Sequence, residues 1–330
     1  MTGASSFTGS WFCRALLEAN AQMVVTLRRG ALEAYQVDPL EAGRVGLWQD
    51  RVEAVYSCSF GDDRFLDVLG SGGFRVLCLH GAQVGAYQEK DFPIDEAVQA
   101  NTRNLDRVLD LFRERGGQRV VLTHSYFAAD LNHPTTPHAS VSPYGESKAK
   151  TLELVRASCR RAGLELRVFW IPNPFGIWEK PGLTAYLFRC WKQGEVPVLK
   201  TPEVVRDFVP VDFLAKAYAA FTLGTLPPPH ELREPGAEIE ATEFVEEIGD
   251  PEVVGELFYR PGRFAESNLD FSRRLASQVE PFLGRACRVE ASNPPEDFSE
   301  PDLLVQGDLL EGPWDEMGFW KEYVRWKMED

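Results

Sequence analysis

The chain has 330 residues, of which 44% are hydrophobic and 26% are charged. This length and composition predict a globular protein with a sizeable core and exclude wholesale disorder. The formal net charge of −15 at pH 7 argues against a nucleic-acid partner, because a nucleic-acid surface needs a basic face. The sequence has no run of 18 apolar residues and no N-terminal basic region followed by an apolar one, which predicts neither a membrane-spanning nor a secreted chain.

The six cysteines are scattered along the chain and form no C-x-x-C pair. They are Cys13, Cys58, Cys78, Cys159, Cys190 and Cys287. The first three lie in apolar stretches that are typical of a core. This pattern predicts no metal site, and it favours a reduced, cytoplasmic compartment over a disulfide framework.

The chain opens with a turn that contains glycine and leads into a helical pattern. Gly3 and Gly9, with Ser6 and Phe7 between them, fit a turn in which backbone approaches a diphosphate at a helix N-terminus. The alternative is a glycine-rich helix start without a ligand. Ser6 stands where such turns usually carry their middle glycine, a departure that crowds the approach slightly.

Only two residues precede Gly3, whereas a nucleotide-binding turn normally follows a buried apolar strand. A doubly wound sheet without its central first strand loses hydrogen bonds on both sides and a layer of core. The first strand is therefore expected to be missing or truncated, with the natural start upstream of Met1. A substitute strand is the alternative.

An apolar strand over residues 23–27 ends at Arg28 and Arg29. Arg28 lies nineteen residues after Gly9, about where a dinucleotide site places the residue that selects its ribose. Two guanidinium groups would bind a 2′-phosphate, whereas a carboxylate would repel it. The pair therefore predicts NADP, with NAD as the alternative cofactor; without a ligand, the pair is a solvated loop.

Strands and helices alternate through the first half of the chain. Further strands are predicted over residues 52–56, 76–79, 120–122 and 166–171, and a helix over 95–112. This alternation predicts an α/β protein with a doubly wound, Rossmann-like parallel sheet. Ligands of such sheets bind beyond the carboxyl ends of the strands. The residues that fall at those ends are Gly3, Arg28, His80 with Gly81 and Ala82, and Ser125.

Tyr144 and Lys148 lie four residues apart in a predicted helix, so their side chains leave the same face one turn apart. A phenol near an ammonium group loses its proton more readily and can serve as a general acid/base near neutral pH. The hydroxyl of Ser125 could hold a substrate carbonyl or alcohol meanwhile. Alone, such a Tyr–Lys pair is more often a solvated helix face. The strand end at Ser125 before it favours chemistry.

These residues together resemble the extended short-chain dehydrogenase/reductase superfamily, in its NAD(P)-dependent nucleotide-sugar epimerase/dehydratase branch. The resemblance implies that Ser125, Tyr144 and Lys148 form the catalytic triad and that Lys148 also binds the nicotinamide ribose. The motifs that carry it are Thr2-Gly3-x5-Gly9, His80-Gly81-Ala82, Asn101 with Asn104, Ser125, Tyr144-x3-Lys148, Asn173-Pro174-Phe175-Gly176 and Arg206-Asp207-Phe208.

The resemblance also implies further binding residues. Asn101 belongs to the implied cofactor set, alongside the glycine turn. Asn173 would hydrogen-bond the substrate's diphosphate or sugar, and Arg206 would meet a substrate phosphate. A turn-forming asparagine between two prolines and a structural turn at Arg206 and Asp207 are the alternatives.

Two domains are expected. Residues 1–172 form the cofactor-binding domain, to which 205–225 return, and residues 173–330 form a smaller substrate-binding α/β region with a C-terminal tail. In the second region helices are predicted over 242–248 and 268–283, and the tryptophan-rich tail is predicted to pack as core. The acidic run over 238–250 is expected to be a solvated face.

The expected activity is hydride transfer by an NAD(P)-dependent oxidoreductase or epimerase acting on a nucleotide sugar. Dehydration is disfavoured, because the family's dehydratases usually carry an Asp-Glu pair after the catalytic Ser or Thr, where this chain has Tyr126 and Phe127. The alternatives are an NADP-binding regulatory sensor without turnover and a reductase of a small non-nucleotide carbonyl. A homodimer is usual in the family. His124 and His138 are assigned no role.

Overall fold

The computed structural model describes residues 1–83, 91–129, 138–225, 255–293 and 314–329. The predicted helix over 242–248 and the acidic run around it lie outside these ranges. The first half contains α1 (Phe7–Glu18), β1 (Val24–Thr26), a 3-10 helix (Leu32–Tyr35), α2 (Pro39–Gly46), β2 (Glu53–Val55), α3 (Asp63–Gly70), β3 (Val76–Leu79), α4 (Ile94–Asn101), α5 (Leu105–Glu114), β4 (Arg119–Ser125), α6 (Pro143–Ala162) and β5 (Glu165–Ile171). The second half contains β6 (Asn173–Phe175), α7 (Leu183–Gln193), β7 (Val198–Leu199), β8 (Val205–Pro210), α8 (Val211–Leu223), β9 (Glu256–Tyr259), β10 (Phe264–Ser267), α9 (Asn268–Leu283), β11 (Glu290–Ala291) and α10 (Glu316–Glu329).

Parallel strands form the main sheet. Strands β3, β4, β5 and β9 pair side by side in that order, and β1 pairs with β2. Residues 1 and 2 lie between the two groups, because Thr2 bridges Thr26 of β1 and its N–H donates to the Cys78 carbonyl of β3 at 3.0 Å. The Met1 ammonium donates to the Val24 carbonyl at 2.7 Å. These two residues occupy the place of the expected central strand.

Helices cover both faces of this sheet, as successive side chains of a strand point to opposite faces. Val120 and Leu122 of β4 pack with α3, α5 and α6, whereas Val121 between them packs with α1 and α8. On the second face the rings of Phe12 and Tyr218 stack with centroids 4.0 Å apart. Each such buried side chain contributes about 1.5–3 kcal/mol. The predicted doubly wound α/β fold is confirmed.

The helix predicted over 95–112 is wrong as a single element, since the chain forms α4 and α5 instead. Asn104 lies between them in the left-handed region, at φ 52°. Its side-chain amide donates to the Gly61 carbonyl at 2.8 Å, and this contact compensates a backbone conformation that asparagine tolerates better than most residues. The break places Asn101 at the end of α4.

A three-stranded sheet in the order β10-β8-β6 forms the centre of the second region. Helices α7, α9 and α10 surround an aromatic core that includes Phe175, Phe208, Phe271 and Tyr323. The helix predicted over 268–283 is α9, and the tryptophan-rich tail packs as core in α10. The boundary at residue 172 stays a prediction with one addition: β9, from the second region, pairs with β5 in the main sheet.

All six cysteines are free and buried. Burial raises the pKa of the Cys13 and Cys159 thiols to about 12 and that of the Cys58 and Cys287 thiols to about 11. Among the described residues no cluster of His, Cys, Asp and Glu could hold a metal ion. No helix in the described ranges is long and apolar enough to cross a membrane.

Candidate active site

The turn at residues 3–9 packs against the end of β3 with its backbone in direct contact with the backbone there. Gly3 has φ +72°, and a Cβ atom on it would lie 2.6 Å from the Gly81 nitrogen. A Cβ atom on Gly9 would overlap the Gly3 carbonyl. The Thr2 hydroxyl accepts the Gly81 N–H at 2.8 Å. Only glycine permits this approach, which explains the spacing of the motif; Ala82 follows the turn half-buried.

The start of α1 presents free backbone donors beside this turn. Ser6 is the N-cap: its hydroxyl accepts from the Gly9 N–H at 3.1 Å and donates to the Gly3 carbonyl at 2.9 Å. The N–H groups of Phe7 and Thr8 belong to the first turn of the helix, where no intrahelical acceptor exists. The helix dipole adds positive potential at the same point. These residues fit the diphosphate of a dinucleotide.

His80 links the turn to the next strand. Its Nε2 lies 2.9 Å from the Ser6 hydroxyl oxygen, and its Nδ1 lies 2.9 Å from the Thr123 hydroxyl oxygen. Desolvation, and then the charge of Lys148, lower the pKa of His80 to about 3, so the ring is neutral. The Thr8 hydroxyl oxygen also lies 3.2 Å from Nε2, so each ring nitrogen has a hydroxyl partner whichever of the two carries the proton. The imidazole braces the predicted cofactor site internally.

Helix α6 approaches the end of β4 through a glycine. Ser142 caps the helix by accepting the Gly145 N–H at 3.0 Å. A Cβ atom on Gly145 would overlap the Phe127 carbonyl oxygen, so the first turn of the helix lies directly on the segment after β4. The Tyr144 ring is edge-on to those of Phe92 and Phe127, with centroids 5.8 and 6.4 Å away. Tyr144 is thereby held beside the strand end.

Lys148 and Ser125 lie at the same strand end. Lys148 is buried, and its Nζ donates to the Thr123 carbonyl at 2.8 Å; desolvation lowers its pKa to about 8. Ser125 is two residues further along β4, and its oxygen accepts the Phe127 N–H at 3.2 Å. The hydroxyl proton of Ser125 remains available to donate. The structure thus places all three predicted catalytic residues around the end of β4.

The two arginines after β1 differ in their surroundings. Arg29 donates to both carboxylate oxygens of Glu41, at 2.6 and 3.0 Å, and its guanidinium lies 4.8 Å from the Tyr35 ring centroid. Arg28 is exposed, and its Nη1 lies 3.5 Å from the side-chain oxygen of Gln83. Arg29 is therefore paired with a carboxylate of the protein, and the roles of both arginines toward a cofactor stay predictions.

The side chain of Asn101 is used inside the protein. Its Oδ1 accepts the Gln83 N–H at 2.9 Å, and its Nδ2 lies 3.4 Å from the Thr151 hydroxyl. These bonds tie the segment after β3 to α6. Asn101 shapes the predicted cofactor site by holding its backbone.

Asn173 and Arg206 lie on neighbouring strands of the second sheet. Asn173 begins β6 and is paired with Phe208 of β8. Arg206 lies two residues before Phe208, is buried, and donates to the Val205 carbonyl at 2.7 Å. Both turn interpretations are wrong, because Asn173 pairs with Phe208 between β6 and β8 and Arg206 pairs with Glu266 between β8 and β10, which holds both residues extended. Their binding roles stay predictions.

A buried polar cluster next to this sheet was not predicted. The Glu179 carboxylate accepts from the Tyr323 hydroxyl at 2.7 Å, from Lys327 Nζ at 2.9 Å, from the Gly176 N–H at 3.1 Å and from the Thr184 hydroxyl. Tyr323 and Lys327 are four residues apart on an aromatic helix, a spacing that could have indicated a polar partner. Glu179 itself offers no sequence signal.

Solved structures and a curated relative resemble this chain. A putative UDP-glucose 4-epimerase from Methanocaldococcus jannaschii is 22% identical over 231 residues, which cover 66% of this chain and 70% of the relative. The structure of UDP-glucuronic acid 4-epimerase from Bacillus cereus, with UDP-glucuronic acid and NAD, has a TM-score of 0.65 at 14% identity, covering 99% of this chain and 98% of that one. DesIV, a dTDP-glucose 4,6-dehydratase from Streptomyces venezuelae solved with NAD and TYD, has a TM-score of 0.64 at 17% identity, covering 100% and 96%. These structures share the fold.

The glycine turn, the strand ends and the return of α8 all fall within one matched region. Residues 1–225 match the family model described as the NAD dependent epimerase/dehydratase family. This match covers more than half of the chain and includes every residue predicted for the site. The chain belongs to the NAD dependent epimerase/dehydratase family.

Proposed function

We propose that the protein is an NAD(P)-dependent epimerase or oxidoreductase that acts on a nucleotide sugar. One observation carries the proposal: Lys148 is bound to β4 two residues before Ser125 and lies on the helix whose first turn carries Tyr144. This arrangement stands at the carboxyl edge of the sheet that also holds the glycine turn. Similar structures solved with UDP-sugars and NAD support the substrate class.

The proposed cofactor site is the glycine turn with the first N–H groups of α1. When bound there, a nicotinamide dinucleotide supplies reversible hydride exchange with a sugar carbon. The similar structures contain NAD, and Glu41 already neutralises Arg29. NAD is therefore the cofactor that we favour, and the expected preference for NADP rests on Arg28 alone.

The three predicted catalytic side chains divide the proton chemistry. Ser125 donates to the reacting sugar oxygen and holds it in place. Tyr144 exchanges a proton with that oxygen. Lys148 stabilises the phenolate by its charge, and no carboxylate in the described ranges pairs with its ammonium. Burial of the Lys148 ammonium without a carboxylate is unfavourable, and the negative charge of the Tyr144 phenolate would offset this cost.

The residues after Ser125 favour epimerisation or reduction over dehydration. Tyr126 and Phe127 follow it, with ring centroids 4.4 Å apart, and Phe127 is edge-on to Tyr144. Removing water from a sugar requires a further acid and base, and neither of these two positions carries a carboxylate. The positions at which the family's dehydratases usually carry Asp and Glu thus hold a phenol and a phenyl ring here.

The test is turnover by the purified protein on a panel of UDP- and dTDP-sugars with NAD or NADP. We expect a stereochemical inversion at one sugar carbon, detected by NMR, or a net change in reduced-nicotinamide absorbance. A 4-keto-6-deoxy product would show dehydration instead. Tight dinucleotide binding with no product from any sugar would contradict the proposal and favour a sensor.

A further inference from the structure

We propose that residues 176–179, called the strap below, position the sugar-binding sheet against the cofactor half, with Trp178 and Glu179 as positioning residues. The strap joins β6 to the segment before α7. Its expected effect on substrate affinity rests on the proposed function. Its effect on local backbone stability does not.

The strap is bound to two helices of the cofactor half through consecutive carbonyls. The Ile177 carbonyl accepts from the Trp11 indole N–H of α1 at 3.0 Å. The Trp178 carbonyl accepts from Nε of Arg44 on α2 at 2.8 Å. Arg44 is buried, and its Nη2 has no partner within the described part of the chain. A guanidinium kept in so costly an environment indicates that its bond to the strap is important.

Trp178 has an unusual backbone conformation. Its φ of +68° lies in the left-handed region, which is uncommon for a bulky residue. Its ring lies so close to α2 that a Cβ atom on Gly43 would be 2.5 Å from it. The ring of Trp326 on α10 lies on another side, with the ring centroids 5.6 Å apart. A strained residue persists where its surroundings hold it and often marks a functional constraint.

Glu179 fastens the other end of the strap. Its carboxylate receives the Gly176 N–H from within the strap and the hydroxyl and ammonium groups of Tyr323 and Lys327 from α10. The strap also follows β6 directly, and β6 begins at Asn173, the predicted sugar contact. A change in the strap would therefore move Asn173 relative to the cofactor half.

Charge determines which substitutions are informative. The side chains of Glu179 and Lys327 are 7% and 5% exposed, so removing one partner alone leaves an unpaired buried charge and risks unfolding. Two variants avoid this: Tyr323→Phe, which removes one hydrogen bond from the carboxylate, and the double variant Glu179→Gln with Lys327→Met, which removes both charges together. Lys321→Met, at an exposed position of α10, is the matched control.

The experiment combines hydrogen exchange over residues 173–179 with steady-state kinetics and dinucleotide titration. In both test variants we expect exchange of the Gly176 amide to accelerate roughly tenfold and KM for the nucleotide sugar to rise by a similar factor, as expected for losing a hydrogen bond to a charged group. We expect kcat and the Kd of NAD to change by less than about twofold, because the catalytic residues lie on β4 and α6. Lys321→Met should match the wild type throughout.

Unchanged exchange in both test variants would overturn the inference, whatever the kinetics show. Faster exchange with an unchanged KM, or with an equal loss of NAD affinity, would also overturn it, because the strap would then not position the sugar side. If the wild type turns over no sugar, the proposed function fails. The exchange measurement, together with the affinity for free UDP in place of KM, then decides the inference.

Discussion

Different kinds of interaction stabilise the glycine turn of the cofactor half, which contains β1–β5, and the aromatic core of the second region. In the cofactor half, the glycine turn is held by backbone approach and neutral hydrogen bonds, as Gly3 against Gly81 and His80 between Ser6 and Thr123 show. The region around the sheet β10-β8-β6, called the sugar half after its proposed role, places charges inside an aromatic core. Backbone approach demands glycine at fixed positions and so leaves a motif in the sequence. Pairing between distant side chains leaves none.

The charges of the sugar half illustrate this second mode. Arg274 on α9 donates through Nε to Glu266 at 3.0 Å, and its guanidinium lies 3.9 Å from the Phe264 ring centroid. Lys327 and Glu179 repeat the pattern beside Tyr323. Desolvation of each ion is unfavourable, so such pairs add more to the definition of one geometry than to stability. We therefore expect substitutions in the two halves to change different measurements.

The largest expected effect separates chemistry from positioning. Tyr144→Phe removes the proposed proton donor from the cofactor half, and we expect kcat to fall about 10³-fold, within the range for general acid/base groups. The Kd of NAD should not change. Single-turnover kinetics and dinucleotide titration measure the two quantities.

A second tyrosine provides the control for this variant. Tyr186 on α7 hydrogen-bonds through its phenol oxygen to the backbone of Val198 and does not lie on α6. Tyr186→Phe should therefore leave kcat within about twofold, because it removes no proposed proton-transfer group. An active Tyr144→Phe enzyme would break the comparison, since the chemistry would then lie elsewhere.

The glycine turn offers the next largest effect. A Cβ atom in Gly9→Ala would overlap the Gly3 carbonyl and lie 2.7 Å from a carbon of the His80 ring, so the turn must open. We expect NAD affinity to fall about 100-fold, equivalent to roughly 3 kcal/mol. In Gly46→Ala the new Cβ atom meets nothing within 4 Å, and helix propensity should stabilise α2 by about 1 kcal/mol. Equal NAD affinities in the two variants would contradict the role of backbone approach.

Acid unfolding tests the neutral imidazole. The pKa of His80 is lowered from 6.5 to about 3 in the folded protein, so between these pH values the unfolded chain binds a proton that the folded protein does not. The free energy of unfolding therefore falls as the pH decreases below 6.5. From pH 7 to pH 5 the share of His80 is about 2 kcal/mol. His80→Asn, which cannot titrate there, should lose less stability by that amount in urea unfolding at the two pH values; identical losses would show that the ring does not stay neutral.

The smallest expected effect concerns the proposed adenosine end of the cofactor site, where we expect charge rather than backbone approach to select the ligand. Arg28→Ala should weaken NADP binding about fivefold and leave NAD binding unchanged, because one charge-assisted contact is lost. Arg29→Ala should change either affinity by less than about twofold, since Glu41 already neutralises this guanidinium. Fluorescence titration with both dinucleotides measures these ratios. A larger effect from Arg29 would reverse the assignment.

Sequence reasoning identified the parts of the fold that depend on local pattern. Strand β3 matches its predicted range, residues 76–79, because an apolar run between polar segments indicates a buried parallel strand. The helix break at Asn104 was missed because its cause is a bond to Gly61, 43 residues away. The addition of β9 to the main sheet was missed for the same kind of reason, as its pairing with β5 leaves no local signal.

In the candidate site, too, the features that depend on local pattern could be predicted and those that depend on distant partners could not. The placement of Ser125, Tyr144 and Lys148 around one strand end follows from motif and topology, which the sequence contains. The pairing of Arg29 with Glu41 could not be predicted from position alone, because the carboxylate reaches back from the next helix. Because of that pairing, the prediction of NADP now depends mainly on Arg28.

Because the thiols described above are buried, the native cysteines should react only slowly with labels that are specific for thiols. A thiol reacts as its thiolate, and a pKa of about 11 or 12, as in Cys58 or Cys13, leaves almost none at neutral pH. A cysteine introduced at Val37 or Met317, which are 85% and 84% exposed, would therefore take up a maleimide dye selectively without removal of any native cysteine. Dyes at these two positions, one on each half, would report the distance between the halves during turnover.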